Sequence, residues 1–361
     1  MKKMTFLELY LRPMILSVLC FLIYNISTVI YKIRLTIQGI AYFFFCNDKS
    51  WPTQIDPELA FAPIVAANEC SSKIEKKTII FIRHGESTWN DTFNKGSHRS
   101  AFVFVIGFIP GLIKSFLYEF YLLISGKIDS WFYDSPLSHL GLSQVKKLGN
   151  FLNKDPSLDK ALSDDERLLL QILRKDPNTP PSKLVSSNLR RALSTIAGAF
   201  QERLLCDPQE SIVILPSLQE ISRNPDTLSI TPAREKVRPS WIDQSSKVCD
   251  FASIFNKQVN MQYHIGNKPI DTNGLRRMLE FNTKVFSATL PEDYIIVGGH
   301  SIWFRSFFRE FLPVASTHVG KKKKVVNCGA VAFDLWKTNV DGRDKFMIDE
   351  KSIRVVYGGF K

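Results

Sequence analysis

The feature that most limits what this chain can fold into is a run of four large apolar residues, Ile79-Ile80-Phe81-Ile82, that ends on Arg83-His84-Gly85-Glu86. A short apolar run of β-branched and aromatic residues closed by glycine reads as a strand buried on both faces, as in the interior of a parallel sheet. Its carboxyl end then presents an arginine and a histidine at the sheet edge where open α/β folds bind ligands. Three more segments repeat the pattern. "KLVSSNLRR" sets Arg191 just past a strand, "SIVILPSLQE" sets Glu220 after a strand and turn, and "DYIIVGGHS" sets His300 at a strand end. A lone histidine or arginine is ordinarily structural. Parallel strands place all their carboxyl ends on one edge, so four such residues at equivalent positions can converge although they lie far apart in sequence.

Between these strands the chain carries helical patterns. "DSPLSHLGLSQVKKLGNFL" reads as a turn and then a helix with Leu140, Val145, Leu148 and Leu152 at approximately helical spacing, and residues 273–290 read as another helix. Residues 156–181 look like an insertion with a short charged helix, residues 223–269 are long and irregular, and two strands close the chain near 329–335 and 353–357. Strands alternating with helices predict an α/β fold with a mostly parallel central sheet flanked by helices.

Charge and cysteine usage narrow the function. The formal net charge of +12 favours anionic partners: phosphorylated substrates, acidic lipids or nucleic acid. No zinc-finger spacing or RNP-like motif is present, so nucleic acid is not expected. The six cysteines are scattered with no CxxC pair, which fits a reduced compartment. Asn90-Asp91-Thr92 is formally a glycosylation sequon overlapping the first motif, and a glycan there would crowd the site, which favours the cytosolic side.

The four strand-end groups suit phosphoryl transfer. A neutral imidazole is a good nucleophile at physiological pH. Guanidinium forks bind non-bridging phosphate oxygens and stabilise charge in the transition state. A carboxyl group kept protonated can give its proton to the leaving oxygen. In this order "RHGESTWN", "SSNLRRALST", "LQE" and "GGHS" resemble the histidine phosphatase superfamily, in its phosphoglycerate-mutase-like branch, from about Lys77 to the C-terminus. "YDSPLSHLGLSQ" resembles the family's next segment, with Asp134, Leu137, Gly141 and Gln144 in register.

The resemblance implies that His84 is the phosphorylated nucleophile, that Arg83, Arg191 and His300 form the phosphate pocket, and that Glu220 is the acid/base group. Of the adjacent Arg190 and Arg191, the family pattern selects Arg191. Asn90 and Ser301 would lie beside the substrate. No cofactor or metal is implied. "LQEISRNPD" departs from the "ERHYG" of glycolytic mutases, which implies a phosphomonoester hydrolase; the alternatives are a mutase-type phosphotransferase and a catalytically idle membrane-anchored scaffold. The substrate is left open between a small molecule, a lipid and a protein.

Residues 1–46 are expected to be a hydrophobic anchor, because Pro13 to Tyr31 carry no charge over roughly the length of a membrane-spanning helix. Residues 47–76 read as a linker and 77–361 as the phosphatase domain, interrupted by an apolar insertion at about 100–126 that Pro110-Gly111 is expected to break. The insertion lies between His84 and Asp134, which the resemblance places in one domain. Its ends must return there, so an interfacial or re-entrant element, or an apolar lid, is expected rather than a single crossing. "GKKKK" at 320–324 reads as a solvated turn, with contact to acidic head groups as the alternative. The whole describes a membrane-associated enzyme with its catalytic part facing the cytosol.

Overall fold

A computed structural model of the protein describes residues 11–52, 54–66, 74–96, 99–154 and 162–361. Among these residues one mixed sheet holds eight strands: β1 (Glu75–Arg83), β2 (Ser182–Ser186), β3 (Ile212–Ile214), β4 (Val259–Asn260), β5 (Tyr294–Gly299), β6 (Ala330–Val340), β7 (Arg343–Ile348) and β8 (Arg354–Tyr357). Their order is β4-β3-β2-β5-β1-β6-β7, with β8 also paired to β6. The helices that bear on the site are α1 (Arg12–Tyr24), α2 (Ile26–Phe45), α3 (Ala101–Ile124), α4 (His139–Leu152), α5 (Arg190–Ala199), α6 (Gly274–Val285) and α7 (Ser301–Phe311).

The first five strands all run parallel, as expected, and β6 to β8 add antiparallel pairs. The alternation of β1 explains why its apolar run is continuous. Ile80 and Ile82 pack on one face beneath α4 and α5, while Ile79 and Phe81 pack on the other beneath α6 and α7. The second face is aromatic: Phe81, Trp303, Phe304, Phe307, Phe308 and Phe333 stack and tilt on one another. This is where much of the chain's phenylalanine is spent.

The register matters most for function. Arg83 pairs with Gly299, and both Ile82 and Ser186 pair with Gly298. The carboxyl ends of β1, β5 and β2 therefore stop level, and the residues that follow them emerge together. Strand β7 is absent from the sequence expectation although its signal is present: Asp341 and Gly342, both at positive φ, make the tight turn of a β6–β7 hairpin.

Three expectations for the apolar segments need correction. The segment Pro13 to Tyr31 is not one spanning helix. It breaks at Asn25, between α1 and α2, where polar side chains bind backbone instead of continuing an apolar stripe: Asn25 Nδ2 donates to the Ile124 carbonyl (3.3 Å) and Thr28 Oγ1 to that of Gly126 (3.2 Å). Nor does Pro110 break the insertion. α3 runs unbroken through it and is the one helix among the described residues long and apolar enough to cross a membrane. Finally, the described part of residues 47–76 is packed rather than slack. It carries a helix at Glu58–Ala66, buries Asp48 and Phe61, and bonds Trp51 to Glu310 and Gln54 to the carbonyl of Leu312.

Candidate active site

His84 follows directly on β1. Its N–H donates to the Gly299 carbonyl of β5 (3.0 Å), so the two strand ends hold it jointly. The tight turn after it needs glycine on both sides. A Cβ on Gly85 would lie 2.8 Å from the Gly141 carbonyl oxygen, and one on Gly141 would lie 2.1 Å from that of Glu86. The Nδ1 of His84 is 2.5 Å from the Gly85 carbonyl. A carbonyl only accepts, so Nδ1 carries the proton and Nε2 keeps its lone pair.

Around this ring the structure gathers the residues singled out in sequence. Arg83, His84, Asn90, Arg191, Glu220 and Ser301 line one cavity of about 310 Å³. His300 lies beside it, completely buried, with its ring 5.0 Å from that of His84 and its Nε2 2.9 Å from Ser187 Oγ. Arg83 and Arg191 fasten themselves through Nη1 to the carbonyls of Val325 (2.7 Å) and Asp226 (2.6 Å). Among the described residues Arg83 Nε, Arg191 Nε and His300 Nδ1 are buried with no hydrogen-bond partner in the protein, as are the Nε atoms of Arg190, Arg203 and Arg277. Asn90 is half-buried on a short helix at Thr88–Phe93, its Oδ1 accepting from Asn94, and Ser301 begins α7.

Burial above all, and then the charges of Arg191 and Arg83, hold the pKa of His84 well below its ordinary value. Burial and Arg191 do the same for His300. Both rings are therefore neutral at physiological pH. Burial lowers Arg83 to about 10, which still leaves it charged.

Three carboxyl groups line the cavity, those of Glu86, Glu220 and Asp226, and Glu86 Oε1 accepts from Ser138 Oγ (3.3 Å). Glu220 has both oxygens engaged: Oε1 accepts from the backbone N–H of Trp303 (2.8 Å) and Ile221 (3.0 Å), and Oε2 from that of Ile302 (3.3 Å). It sits at the positive N-terminal end of α7. Asp226 lines the same cavity, pairs with Arg191 at 3.3 Å, and keeps Oδ1 without a partner. Burial pushes its carboxyl up to about 6, against the pull of Arg191.

The segment that carries Glu220 is positioned by a buried network that sequence reasoning did not find. Lys268 Nζ donates to Asp48 (2.6 Å) and to the carbonyls of Glu220 (2.5 Å) and Ser222 (2.9 Å). Arg277 bonds Asp48 and the Gln219 carbonyl. Lys324 and Lys361 also line the cavity, so the "GKKKK" run is not wholly a solvated turn. The neighbouring pair Arg190 and Arg191 divides: Arg190 is held in ion pairs with Asp129 and Asp134, and only Arg191 lines the cavity.

No family model and no curated relative matches this chain. Among solved structures it is similar to a mycobacterial glucosyl-3-phosphoglycerate phosphatase (13% identity, TM-score 0.34, covering 76% of this chain and 97% of that one). It is also similar to the ecdysone phosphate phosphatase of Bombyx mori (15%, 0.35, 71% and 88%). A third is a phosphoserine phosphatase of Entamoeba histolytica (11%, 0.30, 76% and 96%). Likeness of this degree lends no weight to an activity, which has to rest on the cavity itself.

The division between the two arginines gives a test. Arg191→Ala is expected to lower kcat/KM for an aryl phosphate by at least about two orders of magnitude and to abolish inhibition by inorganic phosphate. Arg190→Ala should instead lower the melting temperature, since removing one partner of a buried pair costs about 3–5 kcal/mol, while phosphate still inhibits whatever protein remains folded.

Proposed function

We propose that this protein is a phosphomonoester hydrolase of the histidine phosphatase superfamily that acts through a phosphohistidine on His84. The observation that carries this reading is the state of that ring: neutral, with Nδ1 committed to a carbonyl and Nε2 free, in a cavity walled by two guanidinium groups. The substrate phosphate binds between Arg83, Arg191 and His300 Nδ1. Nε2 of His84 forms the N–P bond as the bond to the leaving oxygen breaks. The leaving alkoxide takes a proton from a carboxyl group, water then cleaves the N–P bond and returns a proton to that carboxylate, and phosphate departs.

The carboxyl we assign to this step is Asp226, not Glu220 as the resemblance implies. Glu220 has both oxygens turned to backbone donors. Asp226, which also lines the cavity, keeps Oδ1 without a partner and holds its proton up to about pH 6. Glu220 then fixes the start of α7, and with it His300 and Ser301, relative to Arg83.

The reading also includes a membrane surface. α3 exposes Phe102, Val105, Ile109 and Leu117, and α2 exposes Ile30, Ile37, Phe44 and Phe45. Apolar area on this scale is a mark of a lipid or partner contact. α3 is tied to the domain from its middle onward, by the bond between Ser115 and Thr92, by the pairing of Glu119 with Lys32, and just past its C-terminal end by the pairing of Asp129 with Arg190. That favours a helix lying along the surface over one that crosses. The sequon at Asn90, on the cavity wall, supports a cytosolic catalytic part.

Asp226→Asn should slow an alkyl phosphate, whose leaving group needs a proton, far more than a nitrophenyl phosphate, and Glu220→Gln should slow both alike. A raised carboxyl pKa supplies the acid form below about 6, so the wild-type rate on the alkyl substrate should fall as pH rises through that value. The substrate's own ionisation near 6 is shared by the variant and cancels in the comparison. If Asp226→Asn keeps the leaving-group dependence of the wild type, the assignment is wrong. For the membrane part, full-length protein should sediment with neutral phospholipid vesicles, and Phe102, Ile109 and Leu117 changed together to Ser should release most of it. Undiminished sedimentation would rule this face out.

A further inference from the structure

Beside the phosphate cavity lies a second chamber of opposite character. It is a groove of about 410 Å³ between α2 and α3, walled by Leu35, Gly39, Ile40, Phe43, Phe116 and Phe132. Its size is that of an ordinary ligand pocket. The two charged groups at its floor are already spent on each other. Lys32 Nζ donates to Glu119 at 2.6 Å, and Glu119 also accepts from Ser130 Oγ (3.0 Å) and the Trp131 N–H (2.7 Å). To an occupant the groove is apolar.

The two chambers adjoin at the half-buried Pro225. Pro225 lines the groove while its neighbours Asn224 and Asp226 line the phosphate cavity. On the other side Trp89 lines the cavity, its ring 6.5 Å from that of Phe132, which lines the groove and lies 5.3 Å from Phe116 of α3. At its outer end the groove opens between Phe44 and Phe116, which are 66% and 60% exposed, on the bare face assigned above to the membrane.

We infer that the substrate is the phosphate monoester of a lipid, its head in the His84 cavity and its apolar chain in the groove between α2 and α3. This rests on the phosphatase reading above and names the substrate class for it. A phosphopeptide or a sugar phosphate would draw on polar partners beyond the phosphate, and the groove has few: Thr36 Oγ1 is turned back to the Lys32 carbonyl (2.9 Å) and Ser130 Oγ to Glu119 (3.0 Å). A hydrocarbon chain needs only apolar wall and a lateral way in from the bilayer, and both are present. Each methylene that leaves water for such a wall raises binding by up to about fourfold.

The test compares butyl phosphate, dodecyl phosphate and an aryl phosphate on full-length protein in one fixed detergent, for wild type, Thr36→Trp and Ile40→Trp. Both substitutions put an indole into the groove, from separate positions on α2. Partition of dodecyl phosphate into micelles is the same for all three proteins, and butyl phosphate gives each its own reference. The expected result is a wild-type kcat/KM at least tenfold higher for dodecyl than for butyl phosphate, with the ratio falling towards one in both variants. Equal rates on the two alkyl phosphates, with the aryl phosphate still hydrolysed, would overturn the lipid substrate and leave the phosphatase standing. A wild-type preference that survives in both variants would overturn the groove. No hydrolysis of any of the three would overturn this inference together with the reading beneath it.

Discussion

The site depends on one constraint, the register of three parallel strands. β1, β5 and β2 end level, and so His84, His300 and Ser187 with the start of α5 emerge within reach of one another. A slip of one residue in β1 would turn its apolar set to the wrong faces and withdraw His84 from Gly299. The register is held by a core packed on both sides of the sheet, which is why a site of buried, mutually repelling cationic groups survives. Stability supplied by the apolar strands and the aromatic layer offsets the cost of burying Arg83 and Arg191 with unsatisfied Nε donors.

A second structural dependence joins the N-terminal part to the chemistry. Asp48 lies three residues past the end of α2, and with Lys268 and Arg277 it holds the segment 219–222 that carries Glu220. Tyr42 of α2 lies against the Lys268 ammonium, 5.0 Å from ring centre to nitrogen. The apolar helix α2, which meets the membrane in our reading, and the segment that carries Glu220 are thus tied by one buried ion cluster. Removing the first 46 residues as a mere anchor would strip away Tyr42 and expose that cluster.

Much of this was legible in the sequence, for physical reasons that can be named. Four apolar residues before Arg83-His84 can hardly be anything but a buried strand, and the glycines after His84 and in "GGHS" mark where backbone must come close. The parallel sheet and the gathering of Arg83, His84, Arg191, Glu220 and His300 followed from those local signals. What was not legible is long-range polar pairing. Asp226 reads as an ordinary turn residue in "NPDT", and nothing near Asp48 or Lys268 announces that they meet across 220 positions. The N-terminal anchor misled for a related reason: hydropathy sums over a window, whereas Asn25 and Thr28 act singly, by bonding to the end of α3.

The central claim is that His84 takes the phosphoryl group, and rapid acid-free quenching with a radiolabelled phosphomonoester tests it most directly. The account predicts label on the wild-type protein that is stable to alkali, lost in acid, and absent from His84→Ala, with the modified peptide containing residue 84. Label that is instead stable to acid and lost in alkali, as an acyl phosphate on Asp226 or Glu220 would be, or label retained by His84→Ala, would contradict it.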